Sequence, residues 1–300
     1  MISIANRGRA AGKSFKPTDG MKLNLSCTDF SFPLLDHDRA LAVIALLSLR
    51  GVDIGLFEGH GHLKPSGELR KPARNGAALR RKLAAHGLKA ADIFLQIHAG
   101  FVEFAINHPA AKRRVFAREQ FLRALDYANA AGSAHITILP GVTFDGESRA
   151  TLISRSADEL SWRVGHAKAA KLRLAVEPHV SSLTDTPERA LDLVNRVPGL
   201  GFTLDYAHFT RAGISDARIE PLTQFATHLH ARTARRGRLQ CPLKENTIDF
   251  PGALAALREN KFAGWIALEY VWIDWEHCNE VDVISETISL RDQLVRAAKK

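Results

Sequence analysis

LRLAVE at residues 172–177, LGFTLD at 200–205, ATHLH at 226–230 and WIALE at 265–269 are the four runs that decide the fold. Each run ends in a residue that can bind a divalent metal: Glu177, Asp205, His230 and Glu269. Short runs rich in Val, Ile, Leu and Phe, separated by helical patterns, are typical of buried parallel strands. Because a (β/α)8 barrel carries its chemistry at the carboxyl ends of its strands, the runs predict such a barrel with its site there.

The rest of the chain supplies the missing strands and helices. Apolar runs at 23–27, 52–57, 92–97 and 134–139 come before the four quoted runs. Helical patterns lie between them, and Thr186-Pro187-Glu188 is a helix start with a capping threonine and proline at the first position. Eight strands alternating with helices predict one α/β domain, a single (β/α)8 TIM barrel that is the catalytic domain over residues 21–300. Residues 1–20 are basic and lack the apolar core of a signal peptide, so we expect a disordered extension.

The composition argues against several classes of protein. The 300 residues are 46% hydrophobic, enough for a sizeable core. Three cysteines without metal-type spacing argue against a disulfide framework and favour a reducing, cytoplasmic compartment. No apolar stretch approaches the roughly 18 residues of a membrane helix, so no membrane partner is expected. The net charge of +9 is spread over helix faces and chain ends, so we do not expect a nucleic-acid partner from charge alone.

The four strand-end residues predict a metal site. Buried carboxylates are costly unless they are paired or bind a cation, and Glu177 and Glu269 follow their apolar runs directly. The alternative is that each is a salt-bridged rim residue. Carboxylates with a histidine suit one Mn, Mg, Co or Zn ion better than soft copper. His228 shares a strand face with His230 and is a second candidate for the ligand on that strand.

Asp205-Tyr206-Ala207-His208, His230 with Arg236 six residues later, and the two glutamates carry a family resemblance. The chain resembles the sugar isomerase and epimerase superfamily of xylose isomerase-like TIM barrels, and most nearly the D-tagatose 3-epimerase type. The resemblance implies that Glu177, Asp205, His230 and Glu269 are the metal ligands, with His230 preferred to His228 by its spacing to Arg236. It also implies that the two glutamates move a proton and that His208 and Arg236 hold a sugar substrate. Barrels of this group often pair, so a homodimer or homotetramer is expected.

The implied activity is that of a metal-dependent isomerase or epimerase of carbohydrate metabolism. One glutamate removes the proton alpha to a carbonyl, the metal stabilises the enediolate, and the other glutamate returns the proton. If a leaving group lies beta to the carbanion, the same site becomes a lyase or dehydratase on a keto-sugar or a 3-keto glycoside. Residues 178–183 lack the glutamate and the arginine that the ketose epimerases carry after the first ligand, so the substrate is left open.

Two further residues are candidate substrate contacts. His98 follows the third strand and so lies at the mouth of a barrel, and Trp272 belongs to the aromatic segment after Glu269. Glu58, His60 and His62 follow the second strand and are weaker candidates.

An apurinic endonuclease of the same fold is a less favoured alternative. That enzyme needs three metals, including an Asp-x-His pair after the seventh strand. Residues 231–240 contain no such pair. A barrel that binds a sugar or a partner without catalysis is a third alternative, and the intact metal set argues against it.

Overall fold

The computed structural model of the protein describes residues 21–299. Its eight strands close into a barrel in the order β1 to β8, and every pair of neighbours is parallel. The strands are β1 Asn24–Thr28, β2 Gly51–Phe57, β3 Lys89–Gln96, β4 His135–Ile138, β5 Arg173–Val176, β6 Gly201–Asp205, β7 Ala226–Ala231 and β8 Trp265–Leu268. The predicted (β/α)8 barrel is therefore confirmed. The predicted extension, residues 1–20, lies outside the described residues.

Ten α-helices surround or cap the barrel in the part of the chain that the structure describes. They are α1 His37–Leu46, α2 Pro65–Glu68, α3 Pro72–Ala85, α4 Ala111–Ala131, α5 Arg149–Ala169, α6 Pro187–Arg196, α7 Tyr206–Arg211, α8 Asp216–Ile219, α9 Phe250–Glu259 and α10 Val283–Ala297. The predicted start of α6 is confirmed: Pro187 is in the first turn and the Thr186 hydroxyl accepts from Arg189 N. None of the helices within residues 21–299 is long and apolar enough to cross a membrane.

Local differences from the sequence patterns have physical reasons. Helix α3 begins at Pro72, because proline is readily accommodated in the first turn of a helix. After Asp205 the chain turns at once into α7, and the Asp205 carboxylate caps that helix by accepting from Ala207 N at 2.8 Å. The connection before β7 is a 3-10 helix, Glu220–Phe225. These short elements shape the loops, while the barrel fixes where the strand ends lie.

The two ends of the described chain meet below the barrel. Met21 N donates to Ala298 O at 3.0 Å, which ties the segment before β1 to the residue after α10. Close by, Gly264 permits β8 to approach β7, since a Cβ there would lie 2.1 Å from Thr227 O. The amino-terminal end of the barrel is thus closed by backbone contacts, and the carboxyl end carries the long loops.

Candidate active site

Four polar side chains converge at the carboxyl end of neighbouring strands. Glu177 directly follows β5, Asp205 ends β6, His230 is in β7 and Glu269 directly follows β8. Asp205 and His230 are register partners across β6 and β7. All four are buried, none more than 5% exposed. The structure therefore brings together the four residues predicted as metal ligands, whose binding role stays a prediction.

His230 lies at the centre of the carboxylates. Its Nδ1 is 2.6 Å from Glu177 Oε1 and 3.3 Å from Glu269 Oε2. Donor atoms of Glu177, His230 and Glu269 all lie within 4.8 Å of one another, and so do those of Glu177, Asp205 and His208. Because the two sets share Glu177, they form one continuous cluster.

Arg232 is a site residue that the sequence reasoning missed. Its Nη2 lies 2.6 Å from Asp205 Oδ2, 3.4 Å from Glu269 Oε2 and 3.1 Å from His208 Nε2. The side chain is only 3% exposed. Arg232 stands two residues after His230 and so has the same strand parity, which is the signal that could have found it.

The donor set fits a divalent cation. Three carboxylates and an imidazole are ligands for hard and borderline ions. Glu269 Oε2 is buried and lies within ion-pair distance of His230 and Arg232, but it makes no hydrogen bond among residues 21–299, so it can still accept a cation. Three carboxylates against one guanidinium leave two negative charges when His230 is neutral, and a divalent ion would balance them.

Burial and mutual repulsion shift the protonation of the cluster. Burial, reinforced by the charge of Glu269, raises the pKa of Glu177 to about 7. Burial also raises the pKa of Asp205. Burial acts to raise the pKa of Glu269 as well, but the positive charges of Arg232 and His230 outweigh burial and lower that pKa. Burial disfavours the protonated form of His230 and so acts to lower its pKa. The carboxylates of Glu269, Asp53 and Glu177 outweigh burial and hold that pKa well above the usual range. A cation bound to His230 Nδ1 would therefore displace a proton.

A cavity of about 420 Å³ opens above this cluster. Its polar floor is formed by Glu177, His179, His208, Arg232 and Glu269. Its walls are mostly apolar: Phe30, Pro33, Leu34, Phe57, Phe94, Phe101, Leu139, Leu239, Val271, Trp272, Ile273 and Trp275. His179, two residues after Glu177, is another floor residue that the sequence reasoning did not single out.

The predicted substrate contacts divide between the cavity and the surface. His208, in α7, is buried on the cavity floor, and Trp272 lines the wall while 45% exposed. His98 is exposed, and its Nδ1 accepts from Gly100 N at 3.1 Å, so the ring belongs to the loop rather than to the cavity lining. Arg236 is exposed and packs beside Gly213, away from the carboxylates. The structure thus brings two of these four residues to the site.

The weaker candidates after β2 also separate. His60 lines the cavity. Glu58 binds the backbone and hydroxyl of Ser66, at 3.0 and 2.9 Å, and so anchors the start of α2. His62 stacks on His37 with ring centroids 5.2 Å apart. Only His60 is therefore placed to meet a substrate.

Comparison with known proteins gives a family match and structural neighbours. The family described as the xylose isomerase-like TIM barrel matches residues 42–293. Among solved structures, a D-tagatose 3-epimerase-like protein has a TM-score of 0.72 at 18% identity, covering 92% of this chain and 98% of that one. A 3-keto-D-glucoside 4-epimerase from E. coli has a TM-score of 0.67 at 15% identity, covering 92% and 100%. The IOLI protein with a binding zinc atom has a TM-score of 0.67 at 17% identity, covering 92% and 98%. No curated protein matches the chain significantly.

Proposed function

Because the chain belongs to the xylose isomerase-like TIM barrel family, we propose that it is a divalent-metal-dependent sugar isomerase or epimerase. The observation that carries the proposal is that Glu177 and Glu269, both on the floor of the cavity, meet at one imidazole nitrogen, His230 Nδ1. We propose Glu177, Asp205, His230 and Glu269 as the ligands of one Mn, Mg, Co or Zn ion. When bound, that ion would act as a Lewis acid on a substrate carbonyl.

The two glutamates supply a base and an acid. In the metal-free site, burial and the charge of Glu269 raise the pKa of Glu177 to about 7, while Arg232 and His230 lower the pKa of Glu269, so the two carboxyl groups differ in proton affinity. When two environments move the pKa values of neighbouring carboxyl groups apart in this way, one group is suited to act as the acid and the other as the base. One glutamate takes the proton alpha to the carbonyl, and the other returns a proton to the substrate.

The remaining polar groups of the floor orient the substrate. His208 is neutral, because burial and the adjacent Arg232 hold its pKa well below the usual range. Its Nδ1 has no hydrogen-bond partner among residues 21–299 and is therefore free to contact a substrate hydroxyl. Arg232, held between Asp205 and Glu269 on the cavity floor, would contact the substrate, which is the role that the family resemblance implies for Arg236.

The cavity walls favour a particular alternative, a lyase acting on a 3-keto glycoside. A volume of about 420 Å³ falls within the ~300–1,000 Å³ of pockets that enclose drug-sized ligands. Aromatic and aliphatic walls above a polar floor suit a sugar that carries an apolar group. With a leaving group beta to the carbanion, the same pair of glutamates would expel that group rather than return the proton to the same carbon.

The nuclease alternative receives no support from the site. The groups that could hold a metal within residues 21–299 do not include His60, His62 or His98, which a second and third ion would require. The three cysteines are free and buried, in keeping with the reducing cytoplasmic compartment that we propose.

The proposal is tested by metal analysis and solvent exchange. The purified protein is analysed for bound metal, and a panel of ketoses and 3-keto glycosides is incubated with it in D2O. We expect one divalent ion per chain and deuterium incorporation alpha to a carbonyl in at least one substrate. Three ions per chain with nicking of DNA at abasic sites, or no ion and no exchange, would overturn the proposal.

Substitutions connect the exchange to the two glutamates. Glu177→Gln and Glu269→Gln should each lower the exchange rate by about 100-fold or more, since each removes a group that transfers a proton. Glu58→Gln is the matched control, because Glu58 follows a strand in the same way but binds Ser66. Wild-type exchange in either active-site variant would rule out the two-glutamate mechanism.

A further inference from the structure

A column of buried polar residues fills the barrel interior below the active-site cluster. Asp53 of β2 and His228 of β7 form one pair, with Oδ2 and Nε2 2.5 Å apart. Asp92 of β3 and His135 of β4 form a second pair, with Oδ1 and Nδ1 2.7 Å apart. The two imidazoles stack with ring centroids 5.1 Å apart. Barrel interiors are usually packed with branched apolar side chains, so the presence of these buried polar residues requires an explanation.

His230 connects the column to the active site. Its Nδ1 faces Glu177 and Glu269, while its Nε2 lies 3.4 Å from Asp53 Oδ2. Nε2 is buried and makes no well-directed hydrogen bond to any residue between 21 and 299. The ring therefore lies between the active-site carboxylates and the carboxylate of the column, and a small rotation would complete its bond to Asp53.

Asp53 itself is held firmly in this place. Its Oδ1 accepts from Ser26 Oγ at 2.8 Å, and its Oδ2 contacts His228. Its side chain is fully buried, so it has little freedom to turn away from His230. A carboxylate fixed on both oxygens is suited to set the orientation of a neighbouring ring.

We propose that Asp53 is a positioning residue that fixes His230 with its proton on Nε2, so that the Nδ1 lone pair faces the cation site. This inference rests on the proposed metal-binding function and deepens it. A carboxylate that accepts from the far nitrogen of a ligating histidine orients the ring and raises its basicity. His228 and Ser26 then act through Asp53, and the column is explained as the support of one metal ligand.

The second pair offers a matched control. Asp92 and His135 are likewise a buried aspartate–histidine pair. His135 is tied on its other nitrogen to Thr227 Oγ1 at 2.9 Å, and neither member of the pair contacts His230 within a salt-bridge distance. Asp92→Asn should therefore disturb the barrel core as Asp53→Asn does, without changing the orientation of His230.

The test compares metal binding in the two variants. Wild type, Asp53→Asn and Asp92→Asn are stripped of metal, and the Kd for Mn²⁺ is measured by calorimetry, with circular dichroism as a check of folding. The Kd should rise about 10- to 100-fold in Asp53→Asn and stay near the wild-type value in Asp92→Asn. The visible absorption of the Co²⁺ form should change in Asp53→Asn only. An unchanged Kd in Asp53→Asn, or equal losses in both variants, would overturn the proposal.

The experiment also distinguishes two other outcomes, a variant that does not fold and a wild type that binds no metal. If Asp53→Asn does not fold, the Ser26→Ala variant tests the inference instead, because it removes only the hydrogen bond to Asp53 Oδ1. The Kd should then rise about fivefold, because the Asp53 carboxylate loses one of the hydrogen bonds that hold it, and an unchanged value would overturn the inference. If wild type binds no divalent ion, the proposed function itself fails, and this result is distinct from a metal-binding wild type with an indifferent Asp53→Asn.

Discussion

Arg232 is a buried guanidinium between two carboxylates, and its environment sets its importance. The contacts to Asp205 and Glu269 compensate its charge, while the surrounding protein excludes water. Removing one partner of a buried charge group leaves the others uncompensated, which is far more costly than loss of a surface charge.

Alanine substitutions at Arg232 and Arg236 should therefore differ strongly. In metal-free protein, Arg232→Ala should lower the free energy of unfolding by about 3–5 kcal/mol. Arg236→Ala should change it by less than about 0.5 kcal/mol, since Arg236 is exposed. Urea unfolding measures both, and the KM of the exchanging substrate should rise only in Arg232→Ala. Equal effects of the two substitutions would contradict the assigned positions.

His179 should make the metal-free protein sensitive to acid. Burial lowers the pKa of His179 to about 4, so the folded protein resists protonation that the unfolded chain accepts below its ordinary value of about 6.5. Stability should consequently fall as the pH falls from about 6.5 to 4. The difference between the two values corresponds to about 3 kcal/mol at the acid end.

The measurement is urea unfolding of metal-free protein across that pH range. His179→Phe should make the dependence less steep, because phenylalanine has no proton to take up in either state, while the buried His208 keeps its own contribution. His98→Phe, a change at an exposed histidine, should keep the wild-type slope. A His179→Phe profile that parallels the wild type would show that other groups dominate the acid response.

At the scale of single elements, the sequence predicted the place of a side chain well when that side chain lies at the end of a strand. Glu177 and Glu269 directly follow β5 and β8, and a barrel fixes where a strand end lies. The eight strands were recognisable because each is a short apolar run between helical patterns. Neither signal depends on how the loops fold.

Residues further from a strand end could not be placed from spacing. After β7 the chain turns back on itself, with a bridge between Arg235 and Arg238, and this turn carries Arg236 outward. His98 is likewise turned into its own loop by its bond to Gly100. Loop geometry depends on contacts distant in sequence, and one chain without its fold does not reveal them.

The segment after β8 forms much of the apolar wall, and its role can be tested. Trp272→Ala should raise KM about tenfold or more for a substrate with an apolar substituent, because burying an aromatic ring contributes ~1.5–3 kcal/mol. KM for the unsubstituted sugar should change little. Phe116→Ala is the control, since Phe116 in α4 is a similarly exposed aromatic residue that does not line the cavity. Equal KM changes for both substrates would remove Trp272 from the specificity wall.

At the scale of the whole molecule, metal binding should stabilise the barrel. The four proposed ligands come from β5 to β8, so a cation that binds them joins half of the strands at one end. A ligand that binds only the folded state at about 100 times its Kd adds about 2.7 kcal/mol.

Removal of the metal should accordingly lower Tm by about 5 °C for a domain of this size. Thermal unfolding before and after chelation, followed by addition of Mn²⁺, measures the effect. Glu269→Gln should show a smaller difference between the two conditions. An identical Tm with and without chelator would show that no ion binds the folded barrel tightly.

The hydrogen bond between Met21 and Ala298 has a practical consequence for attaching the protein to other materials. Both residues lie at the amino-terminal end of the barrel, opposite the mouth of the cavity. A linker leaving from either side of this junction would hold the barrel on a bead or a sensor chip with its mouth toward the flowing solution. Immobilisation through residues at this junction should therefore leave access of small molecules to the cavity unchanged.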